Sequence, residues 1–261
     1  MVLSRRMIDR RIAATALAIV TFCSGWAARA LLFRESELPP PEQAASVLEP
    51  PPAAPASTSS TSTQQVFEDI YRRAKWGTNA EDAGTSGYGS SLPATLVYRA
   101  FLQQFMENAG VRSVVDAGCG DWESSQAIDW KGIDYKGYDI VASVVDGDKK
   151  KYGKTSIQFF VANVVEEDLP PADLLICKHV LQHLPTADVQ KFLKQLPKYK
   201  HVLLVDSVNP GTLSGKNQDV SAGAFRELDV TRPPLSVRGA KVLTYWDGGN
   251  MQQVVYVPHP S

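Results

Sequence analysis

The chain has few cysteines and little net charge, and both shortages exclude classes of function. Its 261 residues include three cysteines, Cys23, Cys119 and Cys177, which form no Cys-x-x-Cys pair. Neither a structural zinc site nor a disulfide framework is predicted, and we expect no metal. The formal net charge is -1 and there is no long basic run, so no nucleic-acid partner is expected.

The first 34 residues predict a membrane anchor. Met1–Arg11 contains four arginines, and residues 12–33 are almost wholly apolar. A helix of about 20 apolar residues spans a bilayer, and the preceding arginines favour a cytoplasmic N-terminus. We therefore expect residues 1–34 to form a cytoplasmic tail and a single-pass signal-anchor. Two alternatives remain open: a cleaved export signal ending near Ala28-Arg29-Ala30, and an arginine-rich organelle transit peptide.

Residues 35–65 predict a disordered linker. They contain two Pro-Pro-Pro runs, at 39–41 and 50–52, and an unbroken Ser/Thr run at 57–63. A segment with so few large apolar residues cannot bury a core, and proline-rich chains favour extended polyproline II. The folded domain is therefore expected at residues 66–261.

From residue 112 onward, strand patterns alternate with helical patterns. Strands are predicted at 113–117, 135–140, 157–162, 172–178 and 201–206, and helices at 123–129, 141–152 and 186–196. Two further helices are predicted upstream, at 66–75 and 93–108. Repeated strand–helix units indicate a mostly parallel sheet with helices on both faces. An Asp-Gly-Gly-Asn turn at 247–250, between strands 241–246 and 251–257, adds a terminal antiparallel hairpin and makes seven strands.

The segment Val114–Trp122 is the most informative part of the chain. It reads as a buried strand that ends near Asp116 and leads into Gly118-Cys119-Gly120. In open α/β sheets, nucleotide-like ligands bind at this edge. A dinucleotide loop has a third glycine where this chain has Glu123, and Asp121 adds a second carboxylate. Two carboxylates disfavour a pyrophosphate and favour a ligand with a positive centre, such as S-adenosylmethionine.

Four motifs, in order, resemble those of class I S-adenosylmethionine-dependent methyltransferases. They are Val114–Gly120, Tyr138-Asp139-Ile140, Phe160–Asn163 and Leu174–Leu184. The resemblance implies a Rossmann-like methyltransferase sheet and S-adenosylmethionine as the cofactor. It also implies that Asp139 accepts the ribose hydroxyl hydrogens, which suits a bidentate carboxylate. Asn163 stands where the family usually has an acid, and its carbonyl oxygen is expected to accept from the adenine amino group.

The resemblance implies a set of cofactor-binding residues along these motifs. They are Asp116, Gly118, Cys119, Gly120, Asp139, Ile140, Asn163, Val164, Cys177 and Trp76. Trp76-Gly77 and the stretch 86–91 are similar to a subgroup of methyltransferases with poorly defined substrates, here expected to be membrane-anchored. The stretch 84–91, rich in glycine and serine, is either a lid over the cofactor or a plain surface loop.

Three residues after the fourth strand are candidate catalytic residues: Lys178, His179 and His183. In this fold, substrate-side residues follow that strand. The two histidines are four residues apart and would share one face of a helix. His183 is a candidate general base, since imidazole titrates near neutrality; the alternative is that it only packs beside the pocket.

The expected reaction is transfer of a methyl group to a small-molecule, glycan or lipid-linked acceptor, with positioning as the main catalytic contribution. One alternative is a catalytically silent, membrane-tethered module that binds S-adenosylmethionine. A second is an NAD-dependent oxidoreductase, which Glu123 and the lack of a Tyr-x-x-x-Lys pair disfavour. The predicted topology separates the domain from the cytosol, where the cofactor is made, so either a transporter is needed or the topology is reversed.

Overall fold

The computed structural model describes residues 62–79, 83–209, 211 and 217–259. The four α-helices described are α1 (Thr63–Arg72), α2 (Leu96–Ala109), α3 (Ala142–Tyr152) and α4 (Thr186–Phe192). The strands are β1 (Ser113–Ala117), β2 (Asp134–Asp139), β3 (Ile157–Val161), β4 (Ala172–Lys178), β5 (Tyr199–Val208), β6 (Ala240–Trp246) and β7 (Met251–Pro258). The predicted anchor and nearly all of the predicted linker lie outside the described residues.

All seven strands form one sheet, in the order β3-β2-β1-β4-β5-β7-β6. β1 to β5 pair in parallel, whereas β7 pairs antiparallel with both β5 and β6. This arrangement confirms the predicted α/β sheet with its terminal hairpin, and it is the Rossmann-like methyltransferase fold. The strand order reverses between β1 and β4, and such a reversal opens a crevice at the carboxyl ends of the strands.

A hydrophobic core lies on each face of the sheet. Along β1, Val114 joins the core that contains α2, while Val115 joins the core that contains α4. Such alternation follows from the two-residue period of a strand. Because both faces are covered, β4 and β5 consist mostly of buried apolar residues, as parallel strands between helical layers do.

The helix boundaries differ from the prediction at several places, including the start of α2, which is Leu96 instead of residue 93. α1 begins at Thr63, three residues before the predicted domain start, because Ser62 and Gln65 form a reciprocal capping box. The helix predicted at 123–129 is only a 3₁₀ turn at Ser125–Ala127. The helix predicted at 186–196 changes to a 3₁₀ helix after Phe192, in the stretch that contains Pro197.

Among the described residues, no helix is long and apolar enough to cross a membrane. The predicted span at residues 1–34 falls outside this range.

The stability of the fold is expected to depend on the centre of β5. Leu203 is fully buried between the strands and α2, so Leu203→Ala should lower the free energy of unfolding by about 2–5 kcal/mol through lost burial and a cavity. Leu96→Ala is the control, because Leu96 is 62% exposed and should change stability by no more than about 0.5 kcal/mol. Urea unfolding of both variants measures the difference, and equal losses would contradict the described core.

Candidate active site

A cavity of about 400 Å³ lies at the carboxyl ends of the parallel strands. Asp116 near the end of β1, Asp139 at the end of β2 and Lys178 at the end of β4 all line it. Ala162, directly after β3, completes the wall on that side. The volume is in the range of small-molecule sites, and the cavity lies at the crevice where the strand order reverses.

The glycine loop (residues 118–122) forms the floor of the cavity. Gly118 and Gly120 have φ angles of +83° and +59°, which residues with a Cβ avoid. A Cβ on Gly118 would lie 2.2 Å from Val180 Cγ2, and one on Gly120 would lie 2.3 Å from Ser86 Oγ. The glycines are therefore needed for close packing of other protein segments against the loop, in addition to any approach of a ligand.

Asp139 connects the glycine loop to the end of β2. Its Oδ2 accepts the Gly120 N–H at 3.1 Å and its Oδ1 accepts the Val141 N–H at 3.0 Å. Burial raises the pKa of Asp139, and these two N–H groups oppose the rise. Each carboxylate oxygen has a further lone pair, so the side chain can still accept two hydroxyl hydrogens from a ligand.

Asp116 is a second buried acid in the wall. The Tyr135 hydroxyl donates to its Oδ2 at 2.7 Å. Burial raises the pKa of Asp116 to about 6, although the Tyr135 hydrogen bond and the Lys178 charge lower it. A cationic ligand beside Asp116 would favour its ionised form further.

Asn163 lies after β3, where the resemblance places the adenine, and Ile140 and Val164 follow the ends of β2 and β3. All three line the cavity, and the two aliphatic side chains supply an apolar wall. Asn163 Oδ1 already accepts the Val165 N–H at 3.1 Å, in a local turn typical of Asn. One lone pair of this oxygen therefore remains for the predicted adenine contact.

The segment at residues 62–79 and 83–91, here called the cover, closes the other side of the cavity. Tyr71 and Ser86 share a hydrogen bond of 2.7 Å between their hydroxyls. The Ser86 N–H donates to Asp121 Oδ2, and the Asp121 N–H donates to Ser86 Oγ. Trp76 lines the cavity and lies against the His183 ring, with 5.0 Å between ring centroids. The loop at 84–91 is thus part of the site wall rather than a plain surface loop.

Both histidine rings at the site use both of their nitrogens in contacts with protein groups. His179 Nε2 lies 2.8 Å from Gln252 Oε1, and its Nδ1 lies 3.2 Å from Lys178 Nζ. His183 Nδ1 lies 3.1 Å from the Ala224 carbonyl oxygen, and its Nε2 lies 3.3 Å from Gln182 Nε2. Burial lowers the pKa of both rings below 6.5, so both are neutral at pH 7.

The terminal hairpin contributes residues that the sequence analysis did not identify. Gln252 Nε2 donates to Asp247 Oδ2 at 2.7 Å, and Gln252 Oε1 also accepts from Ser207 Oγ at 3.2 Å. The Tyr88 hydroxyl of the cover donates to the Asp247 carbonyl oxygen. The only sequence signal here was the turn at 247–250, which indicated a hairpin but not its proximity to β4.

Two predictions about site residues are wrong. Cys177 does not line the cavity: it is fully buried in the core on the opposite face of β4, because its neighbours Ile176 and Lys178 take the cavity face. His179 and His183 do not share a helix face, since His179 has a φ of +56° and only a short 3₁₀ turn, Leu181–His183, follows it. The other predicted site residues all line the cavity, including Cys119, whose Sγ packs against Gly137.

A sequence profile described as a methyltransferase domain matches residues 115–199, which span β1 to the start of β5. No match was found among curated proteins. The matched domain and the fold together support S-adenosylmethionine as the cofactor and give no support to the oxidoreductase alternative.

Solved structures with the same fold have low sequence identity to this chain. Magnesium protoporphyrin IX methyltransferase from Synechocystis PCC 6803, solved with bound SAM, is 14% identical, with a TM-score of 0.52 over 77% of this chain and 98% of that chain. A structure described for the conversion of a disulfide bond into a thioacetal group during echinomycin biosynthesis is 14% identical, with a TM-score of 0.50 over 75% and 92%. At this identity the similarity establishes the fold.

The packing of the glycine loop leads to a prediction about stability. Gly118→Ala combines the cost of a positive φ, about 1–2 kcal/mol, with a clash against Val180. Gly110→Ala is the matched control, because Gly110 has a φ of +63° but nothing within 4 Å of the added Cβ. Gly118→Ala should therefore lower the free energy of unfolding by clearly more than Gly110→Ala in urea titrations. If both variants lose the same stability, Val180 does not constrain the loop.

Proposed function

We propose that this chain binds S-adenosylmethionine in the described cavity and transfers its methyl group to a small-molecule or glycan acceptor. The observation that carries the proposal is the charge of the cavity wall. Five acidic residues line it, namely Asp116, Asp121, Glu123, Asp139 and Asp247. Among the described residues that line the cavity, Lys178 is the only lysine or arginine. An acidic wall suits a ligand with a sulfonium and an ammonium group and opposes a pyrophosphate.

Different cavity residues suit different parts of S-adenosylmethionine. Asp139 has free lone pairs for the ribose hydroxyls, and Ile140 and Val164 give an apolar surface for the adenine. Asp116, between the glycine loop and Lys178, is the acid we assign to the methionine ammonium. When bound, S-adenosylmethionine supplies an electrophilic methyl carbon, and the protein contributes orientation and exclusion of water.

The catalytically silent module remains the second candidate. It predicts affinity for the cofactor without turnover, whereas the enzyme predicts release of S-adenosylhomocysteine in the presence of an acceptor. A panel of hydroxyl- and amine-bearing small molecules and simple glycosides, assayed for S-adenosylhomocysteine release, separates the two.

Cofactor affinity should depend on Asp139. Asp139→Ala removes the carboxylate proposed to bind the ribose, and hydrogen bonds to a charged group contribute about 1.5–3 kcal/mol, so calorimetry should show a loss of affinity of at least about tenfold. Asp134→Ala, at the opposite, exposed end of the same strand, is the control and should bind normally. Asp139 also holds the glycine loop, so a second variant, Asp139→Asn, keeps one acceptor oxygen at this position. Its affinity for the cofactor should lie between those of Asp139→Ala and Asp134→Ala. Normal affinity in Asp139→Ala would refute the assignment.

We further propose that residues 1–34 attach the domain to a membrane, with residues 35–65 as the spacer. The support is the arginine-rich start and the apolar run that follows it. This topology separates the domain from the cytosolic pool of the cofactor. The enzyme can therefore work only if S-adenosylmethionine reaches the compartment that contains the domain.

Protease protection tests the topology. In intact membrane vesicles whose cytosolic face is outward, the domain should resist added protease and become sensitive only after detergent. Sensitivity before detergent would reverse the proposed orientation, and recovery of the full-length chain in the soluble fraction would exclude the anchor. An epitope placed after Ser261 allows the domain to be detected both after protease treatment and in the soluble fraction.

A further inference from the structure

We propose that Lys178 is the residue that takes the proton from the methyl acceptor, and that Asp247, Gln252 and His179 form a chain that positions its amine. The inference rests on the proposed function, and it specifies an acceptor with a hydrogen-bearing nucleophile, a hydroxyl or an amine. Lys178 ends β4 at the cavity wall, on the side of Asp116 away from the predicted adenine region.

The histidines are poor candidates for this role because their nitrogens are already used. The Ala224 carbonyl can only accept, so His183 Nδ1 carries its proton and its Nε2 accepts from the Gln182 amide. His183 is thus held in one tautomer, without a free nitrogen for a substrate. The structure therefore favours the interpretation that His183 packs beside the pocket, against Trp76 and Phe225.

In the hydrogen-bonded series Asp247, Gln252 and His179, each group fixes the orientation of the next. The Asp247 carboxylate can only accept, so it fixes the Gln252 amide with its nitrogen toward Asp247 and its oxygen toward His179. That oxygen can only accept, so His179 Nε2 carries the proton. His179 Nδ1 is then an acceptor, and Lys178 Nζ donates to it.

This geometry leaves one direction of the Lys178 amine unused. A neutral amine has two N–H hydrogens and one lone pair, and two acceptors lie around Nζ: the Gly89 carbonyl oxygen at 2.8 Å and His179 Nδ1 at 3.2 Å. If both hydrogens are donated to these acceptors, the lone pair is the part of the amine left for the cavity. The protein thus orients the basic form of Lys178.

The surroundings of Lys178 also make this basic form accessible near neutral pH. Burial lowers the pKa of Lys178 to about 8, although four nearby acids, Asp116, Asp247, Asp121 and Asp206, raise it. The adjacent His179 is neutral and therefore adds no charge. About a tenth of the lysine is then unprotonated at pH 7, and the fraction rises with pH through about 8.

The acceptor's lone pair forms the bond to the methyl carbon, and the electron pair of the carbon–sulfur bond stays on sulfur. The acceptor's hydrogen leaves as a proton to the Lys178 lone pair, and its bonding pair stays on the acceptor atom. Lys178 becomes an ammonium, which Gly89 and Asp116 stabilise until the proton passes to water.

Competitive labelling of the full chain with trace deuterated acetic anhydride tests the proposal without an acceptor. Peptide mass spectrometry measures the extent of acetylation of each lysine over a series of pH values. The exposed Lys131 serves as the internal standard. Labelling of Lys178 should be half-maximal near pH 8. Half-maximal labelling near the ordinary lysine value of about 10.4, or no labelling where Lys131 reacts, would overturn the proposal.

The same labelling experiment also tests whether Asp247, Gln252 and His179 position the Lys178 amine. Gln252→Met removes the acceptor for His179 Nε2, which frees the ring to put a proton on Nδ1 and bind the Lys178 lone pair. The maximal labelling rate of Lys178 should then fall several-fold, while that of Lys131 stays the same. An unchanged rate would show that the chain does not orient the amine.

A separate measurement distinguishes failure of this inference from failure of the proposed function. Titration of the unmodified protein with S-adenosylhomocysteine tests the cofactor site alone. If it binds and Lys178 labels as an ordinary lysine, only the role of Lys178 is wrong. For an acceptor found by the panel assay, Lys178→Met should lower kcat about 10²-fold or more with a smaller effect on KM, and an unchanged kcat would exclude the proton-transfer role.

Discussion

The site depends on one buried carboxylate, that of Asp139. Its two oxygens accept N–H groups from the glycine loop and from the residue that precedes α3, so a single side chain joins β1 and β2 where both strands end. Because the loop is held by the protein itself, a ligand does not have to order it on binding, and ordering would reduce affinity. The positions of Gly118 and Gly120 beneath Val180 and Ser86 follow from the same fixed loop.

The cover is held by both polar and apolar contacts. Its contacts with the rest of the site include the paired Ser86–Asp121 hydrogen bonds and the bond from Lys178 to Gly89. Each such bond contributes about 1 kcal/mol net. In addition, Phe67 packs against the core that contains α4, and Ile70 and Tyr71 are buried. The cover is therefore anchored by buried side chains of α1 as well as by hydrogen bonds.

The sequence predicted those parts of the structure that local patterns determine. β1 and β4 have the predicted bounds, since short apolar runs between turn residues are typical of buried parallel strands. The ends of β1, β2 and β4 then placed Asp116, Asp139 and Lys178 at one edge, and all three line the cavity. Cys177 was assigned wrongly although the same pattern excludes it: if Lys178 faces the cavity, the residue before it faces away.

The hairpin contacts required information that no local pattern contains. Gln252 reaches His179 because β7 pairs with β5, and β5 with β4, and that order of strands is a tertiary property. The cover is similar, since Ser86 and Asp121 are 35 residues apart and their hydrogen bond is a tertiary contact. Turn residues indicated both segments, but not what they pack against.

Under the proposed function, the distribution of charge in the cavity limits how this site can accelerate methyl transfer. Acids that stabilise a cationic methyl donor act most strongly before transfer, because the positive charge on sulfur disappears as the methyl leaves. Stabilising the bound reactant does not by itself raise the rate, so the acidic wall can account for affinity but not for turnover. The rate must come from alignment of the acceptor and from removal of its proton. Within the described cavity, the residues available for these tasks lie on β4, the hairpin and the cover. Among them, Lys178 is the one group that combines a lowered pKa with a lone pair left for the cavity.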